Sequence, residues 1–391
     1  MRQRARLFLG AAAAVAAVLA ACGDDDDTSG ADTTTVPSAT AEATTSTAGG
    51  GEVVSGAPFP DARCEANREA GTITYLSGFD FAATASIIDV VMADQQGYFD
   101  DLCLDVELQP SFSTANYPIV AAGDAQVASG GSFSEVVNFA AANEADLVAI
   151  AVEGRSAIDS LILKPGVAER LEDLAGTTIG VKGAIPPSVA AMLASVGLVE
   201  GEDYETVLLD GFDPLVHIEL PGIIGFPGYK SNEPGQLERA GVDFDLFAPS
   251  DYGIPGSFGV LYTSRQFLED HPTAVQDFLR ASMRGLADAM ADPEAAAAAA
   301  IEKVEAGGNP NFLSLEGETF RWTTDVELLR ADTPDGTGFG VPDPELLQAE
   351  VDAYAEVGLF GDSAPDITAR FAVDPIAGVY DDTGEVIWPG T

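Results

Sequence analysis

Thr72-Ile73-Thr74-Tyr75-Leu76 opens the succession that decides the fold. Its β-branched and aromatic residues read as a strand. Thr84–Gln96 follows with a helical pattern that Gly97 can terminate, and Leu104–Leu108 reads as the next strand. Tyr117–Ala122 reads as a short helix, and Gln126–Ser129 as a strand running into Gly130-Gly131. Ser132–Ala142 has helical spacing, whereas Leu147–Val152 and Ser160–Leu163 have strand character. Strands alternating with helices in this way predict an α/β fold with mainly parallel strands.

A second unit begins near Lys164-Pro165-Gly166. Thr178–Val181 reads as a strand, and Ser188–Val196 as a helix with Val189, Met192, Leu193 and Val196 on one face. Pro187 suits that helix's first turn and Gly197 its end. Glu205–Leu209, Gly222–Phe226 and Phe244–Phe247 supply further strands, and the unit closes at Ala248-Pro249. After a strand at Gly259–Thr263 the chain turns helical, with Val275, Phe278, Leu279, Met283, Leu286 and Met290 in register. Glu345–Tyr354 is the last clear helix.

The N-terminus addresses the chain for export. Arg2, Arg4 and Arg6 precede an apolar run, Leu7–Leu19, of signal-peptide length. Leu19-Ala20-Ala21-Cys22 then resembles the lipobox of bacterial lipoproteins, which implies a leader over 1–21 and a lipid on Cys22. From Gly23 to Gly51 the chain is acidic and rich in Thr, Ser, Ala and Gly. Such a segment has no apolar surface to offset its ordering entropy, so 22–69 is expected to be a tether. Without the leader 15 basic residues face 63 acidic ones, a net of −48. Nucleic acid and anionic lipid headgroups are therefore excluded as partners, since both need a basic face.

Cys64 and Cys103 each lie just before a strand pattern. In an exported chain, parallel neighbouring strands would bring the two thiols to one sheet edge. A disulfide and a pair of buried free thiols are both open at this point. Closing a loop of about 40 residues would contribute roughly 3–4 kcal/mol in the chain-entropy view.

The enzyme motifs are missing from the sequence. It contains no GxSxG, HExxH, CxxC or P-loop, and only two histidines, His217 and His271. His271 reads as part of a turn, and His217 as a packing or capping residue. Neither a metal site nor a cofactor is expected. Gly-rich loops end strands and open helices at Ser129-Gly130-Gly131-Ser132 and Lys182-Gly183-Ala184. In open α/β sheets such strand ends line a ligand crevice, which makes Ser129, Gly130 and Gly183 candidate contacts.

The most distinctive stretch is Gly225-Phe226-Pro227-Gly228-Tyr229-Lys230-Ser231-Asn232-Glu233-Pro234, followed by Ala240-Gly241-Val242-Asp243 and Asp251-Tyr252-Gly253. It resembles the NMT1/THI5-like substrate-binding proteins, which serve ABC importers of thiamine pyrimidine precursors and related small molecules. Asp89–Phe99, closing on Gly97-Tyr98-Phe99, is similar to the family's early signature. The resemblance implies a two-lobed type II periplasmic-binding-protein fold with two hinge crossovers. Lobe 1 would combine 70–164 with 250–391, and lobe 2 would be 165–249. It further implies a monomeric, extracytoplasmic receptor without catalysis, anchored to the membrane through Cys22, that delivers a small molecule to a permease with its ATPase.

Residue chemistry narrows the ligand. Gly183-Ala184-Ile185-Pro186-Pro187 opens the second unit's first helix, and its two prolines remove two donors that an oxyanion would use. Phe79, Asp80, Phe81, Phe226, Tyr229, Asn232, Glu233, Asp251 and Tyr252 instead offer rings for stacking and acceptors for amino groups. An aminopyrimidine fits that set. Riboflavin remains open because stacking does not specify ring count. Taurine, sulfonates and nitrate remain open through Lys182 and Arg155. The family's pyrimidine synthases use a cysteine-rich motif that this chain lacks, and no fused segment points to a sensor or adhesin.

Overall fold

A computed structural model describes residues 51–309, 313–361 and 363–390. The leader, Cys22 and the tether as far as residue 50 lie outside the described residues. Ten strands form three sheets among the described residues. The strands are β1 (Thr72–Leu76), β2 (Asp105–Gln109), β3 (Val127–Gly130), β4 (Leu147–Gly154), β5 (Asp159–Leu163), β6 (Thr178–Val181), β7 (Glu205–Leu208), β8 (Gly225–Tyr229), β9 (Asp245–Phe247) and β10 (Phe258–Ser264).

The first sheet runs β2-β1-β3-β10-β4. Pairs β1–β2 and β1–β3 are parallel, whereas β10 lies antiparallel between β3 and β4. The second sheet, β8-β5-β9, is antiparallel throughout, and β6–β7 is a parallel pair. The Ile224 amide donates to Thr178 O at 2.9 Å, which joins β6 to the entry of β8. The expectation of mainly parallel strands therefore gives way to a mixed architecture. Its physical origin is the chain's double passage between sheets, because β10 returns from the second unit and enters the first sheet from the opposite end.

All eight residues of β4 are buried, as are the first six of β10. The 20-residue helix Pro272–Ala291 lies across this sheet and buries Val275, Phe278, Leu279, Met283 and Leu286. Trp322, fully buried, donates its indole N–H to Ala289 O at 2.7 Å, so the ring is packed and its polar atom satisfied. Burying each such apolar side chain contributes about 1.5–3 kcal/mol.

Two expected boundaries move. Residues 51–69 belong to the folded unit, because Asp61–Glu69 is a helix held by polar contacts. Arg63 Nε donates to Asp277 Oδ2 at 2.6 Å, and Asn67 Nδ2 donates to Leu102 O and Asp277 Oδ2, both at 2.8 Å. Cys64 on this helix is disulfide-bonded to Cys103, with Cα atoms 5.2 Å apart. The second correction concerns the boundary at 164/165. β5 pairs with β8 and β9, so the change of sheet falls at 155–158 and Asp159–Leu163 goes with the second unit. The return crossing occupies 248–257.

Two elements are also displaced. The helix expected over Thr84–Gln96 runs from Ile88 to Gln95, because 80–87 is pinned in irregular conformation with Asp80 and Ser86 at positive φ. The strand expected at Gly222–Phe226 lies at Gly225–Tyr229, and its position at a sheet edge tolerates Pro227.

Candidate functional site

Strand ends converge where the first sheet faces the second. Ser132 caps the helix Phe133–Asn143, accepting from the Glu135 amide. The Glu135 carboxylate accepts from Tyr117 Oη at 3.1 Å. A Cβ on Gly131 would fall 2.7 Å from a Glu135 carboxylate oxygen, so glycine there makes room for the acid. Tyr117 is itself fixed by stacking on Phe139 and by Tyr262.

From the other side comes Asp159, the first residue of β5, whose Oδ2 accepts from Ser188 Oγ at 2.6 Å. Tyr229 pairs opposite Asp159 in the β5–β8 register and is 47% exposed. Although the ring is half exposed, desolvation of its hydroxyl and then the charges of Asp159, Glu135 and Glu233 push its pKa up, with Arg321 pulling back. Glu233, almost fully buried, accepts from the Tyr229 amide at 2.8 Å and from Lys182 Nζ at 2.9 Å. Glu350 accepts from the Ser134 amide at 3.0 Å, and Ser257 Oγ accepts from the Phe133 amide at 2.9 Å. Tyr354, with Glu350, Asp159 and Glu135 acting on its hydroxyl, closes this side.

The Glu135 side chain is exposed to solvent, and the upward push on its carboxyl, from desolvation at the mouth of the site and from the Asp159 charge, is opposed by Tyr117 and the Gly131 amide. Burial likewise lifts Asp159 to about 6 against the pull of Ser188 and Lys230, with Glu233 pushing the same way as burial. One carboxyl from the helix Phe133–Asn143 and one from β5 are thus both held above the ordinary carboxylate range. A neutral tyrosine between them can stack on a ring or donate its hydroxyl. The site is built to accept hydrogen bonds from N–H groups.

The cations nearby are already engaged. Lys182 is paired with Glu233 and lies 5.4 Å from the Phe212 ring centroid. Arg155 pairs with Asp343 at 3.3 Å and donates to Val341 O. Arg321 donates to Asn232 Oδ1 at 2.9 Å, pairs with Glu318 at 3.3 Å and lies over the Phe79 ring.

The sequence candidates divide. Tyr229, Asn232 and Glu233 lie together with Lys182 and Arg321, although Glu233 serves to hold Tyr229 and Lys182. Phe79 is 39% exposed and packs edge-on against the exposed Phe112. Asp80 is turned inward, accepting from the Phe81 and Asn309 amides at 2.9 and 2.6 Å. Ser129 is buried against Ser86 Oγ at 2.6 Å, and Gly130 pairs with Val260 in the sheet. Gly183 is exposed at positive φ with open space around it.

Phe81 and Phe226 are corrections, since both are fully buried core residues, Phe226 packing against His217 at 5.5 Å. Tyr252 packs on Phe247, and Asp251 acts on Lys230; neither is among the groups acting on Tyr229. Glu135, Asp159, Tyr117, Glu350, Tyr354 and Arg321 were not anticipated. Ser132-x-x-Glu135 has the spacing of a capping box, which masks Glu135 as a local helix signal.

The NMT1/THI5 like profile matches residues 84–296. The riboflavin-binding protein RibY of Chloroflexus aurantiacus is 33% identical over 129 residues, 32% of this chain and 36% of that protein. The chain therefore spans only about a third of that relative. A formylaminopyrimidine-binding protein of Halalkalibacterium halodurans is 26% identical over 262 residues, 65% of this chain and 76% of the relative. The periplasmic aliphatic sulphonate binding protein SsuA of Escherichia coli matches with a TM-score of 0.59 at 14% identity, over 76% of this chain and 91% of that one. That likeness shows the fold, the two-lobed α/β type II periplasmic-binding-protein fold. With more than half its length matched by the profile, the chain belongs to the NMT1/THI5-like family.

Proposed function

We propose that the chain is the extracytoplasmic solute receptor of an ABC importer and captures a flat nitrogen heterocycle between its lobes. Lobe 1 would combine 51–154 with 258–391, and lobe 2 would be 159–247. The ligand would be handed to a permease with its ATPase, the receptor acting as a monomer held by a lipid on Cys22, with no chemistry done on the cargo. The observation that carries the ligand class is the ring of acceptors around Tyr229. Glu135 from the helix Phe133–Asn143 and Asp159 from β5 act on it, while Lys182, Arg155 and Arg321 are each paired with a carboxylate. An aminopyrimidine supplies N–H donors to those acids and a face to Tyr229. The name of the Halalkalibacterium halodurans relative supports this choice.

Riboflavin is the second reading. It is favoured by the exposed Phe79–Phe112 pair, which extends the aromatic surface beyond what one small ring needs, and by the likeness to RibY.

A thermal-shift panel of thiamine, its pyrimidine precursors, riboflavin, taurine, alkanesulfonates and nitrate tests the class. Ligand at about 100 times its dissociation constant stabilises by roughly 2.7 kcal/mol, a shift of several degrees. A pyrimidine or flavin shift is expected. Shifts with taurine or nitrate alone would refute the heterocycle.

A further inference from the structure

Residues 83–86, between β1 and the helix Ile88–Gln95, present backbone donors at the carboxyl end of β1, where an anion would be received. Three of the four amides are taken by acids of the chain itself, and the fourth, of Thr84, donates to Ala82 O. The Ala83 amide donates to Glu318 Oε2 at 2.7 Å, the Ala85 amide to Asp325 Oδ2 at 3.1 Å and the Ser86 amide to Glu153 Oε2 at 3.1 Å. The Thr84 hydroxyl also donates to Asp325 Oδ2. Glu318, Asp325 and Glu153 are at most 1% exposed. They arrive from two elements distant in sequence, β4 and the helix Leu315–Asp332.

Asp325 also accepts from Ser231, next to Asn232, so this acid touches the second unit as well. Asp89, fully buried, interacts with Glu153. Against these four acids the one adjacent cation among the described residues is Arg321, already shared between Glu318 and Asn232.

We infer that Glu318, Asp325 and Glu153 are specificity-determining residues, internal acceptors that occupy the amides of Ala83, Ala85 and Ser86 and so bar oxyanions from the cleft. A sulfonate or nitrate arriving here would find the Ala83, Ala85 and Ser86 amides already taken by carboxyls of the chain. An anion that cannot recover those donors forgoes the hydrogen bonds it left behind in water, which removes useful affinity. A neutral or cationic heterocycle meets no such penalty. The inference rests on the interlobe cleft being the binding site and adds what it refuses.

The experiment is a calorimetric titration of the wild type and of an E318A/D325A variant with taurine, sulfate and nitrate, each variant's fold being checked by circular dichroism. The wild type is expected to give no binding heat, and the variant to bind at least one of these anions about tenfold or more tightly than the wild type. E318Q keeps an acceptor for the Ala83 amide while removing one charge, so it protects the test against misfolding and is expected to gain about threefold. Sub-millimolar oxyanion binding by the wild type, or folded variants with no gain, would overturn the inference. Failure of the heterocycle reading shows separately, as the absence of any pyrimidine or flavin shift.

Discussion

Replacing Asp89 by asparagine should stabilise this protein at pH 8 and leave it unchanged near pH 4. Asp89 and Glu153 are both fully buried, and the Asp89 carboxyl meets only the carboxyl of Glu153 and the local amides of Asp89 and Val90. Burial pushes Asp89 up to about 7 from its ordinary 3.8, and burial with the Asp89 charge pushes Glu153 well up. A carboxyl with a raised folded pKa binds its proton more tightly in the folded state. Stability is therefore lost as pH climbs from about 4 through about 7. Three pH units at about 1.4 kcal/mol each set an upper bound near 4 kcal/mol.

An asparagine side chain carries no charge, and its amide can donate to Glu153, so D89N should recover about 2–4 kcal/mol at pH 8. For roughly 340 folded residues the unfolding entropy is about 0.7 kcal/mol per kelvin, so Tm should rise by about 3–6 °C. Calorimetric melts of both proteins at pH 4.5, 6, 7 and 8 make the assay. A D89N protein that melts below the wild type at pH 8, or a gap that does not change with pH, would refute this reasoning.

Other expectations concern the site and its supports. Because Glu135 and Asp159 lose their charge below about pH 6, affinity for an N–H-donating ligand should fall roughly tenfold between pH 7 and pH 5. Titration calorimetry at the two pH values checks this, and affinity that rises on acidification would exclude these acceptors. E233A should leave Lys182 unpaired and release the Tyr229 amide, costing about 3 kcal/mol of stability in a denaturant titration. R63A, which breaks the buried pair with Asp277, should cost a similar amount, about 3 kcal/mol, and expose 51–69 to protease. Reducing the Cys64–Cys103 bond should cost roughly 3–4 kcal/mol, read as a Tm drop of about 5 °C.

The elements that were legible in the sequence are those whose local pattern and tertiary role agree. Thr72–Leu76 and Thr178–Val181 occupy the expected residues because each is a short, apolar, β-branched run bounded by clear breakers. The helix Asp61–Glu69 escaped because the residues it buries are Arg63 and Asn67, which no hydrophobic period reveals. The sheet membership of β5 escaped for another reason, since its partners lie more than 60 residues away and nothing in Asp159–Leu163 itself names them. At the site, aromatic residues drew attention that two of them did not merit. Phe81 and Phe226 are core, and residue type alone does not tell which face of a segment meets the cleft. Acidic residues were too numerous for Glu135 and Asp159 to stand out, and only their convergence on Tyr229 from a helix and a strand distant in sequence identifies them.

A crystal structure of the chain with the heterocycle giving the largest thermal shift tests the central claim most directly. The account predicts the ring between the two lobes, against Tyr229, with an N–H group hydrogen-bonded to Glu135 or Asp159. A ligand seated elsewhere, or one that leaves both carboxylates and Tyr229 untouched, would contradict it.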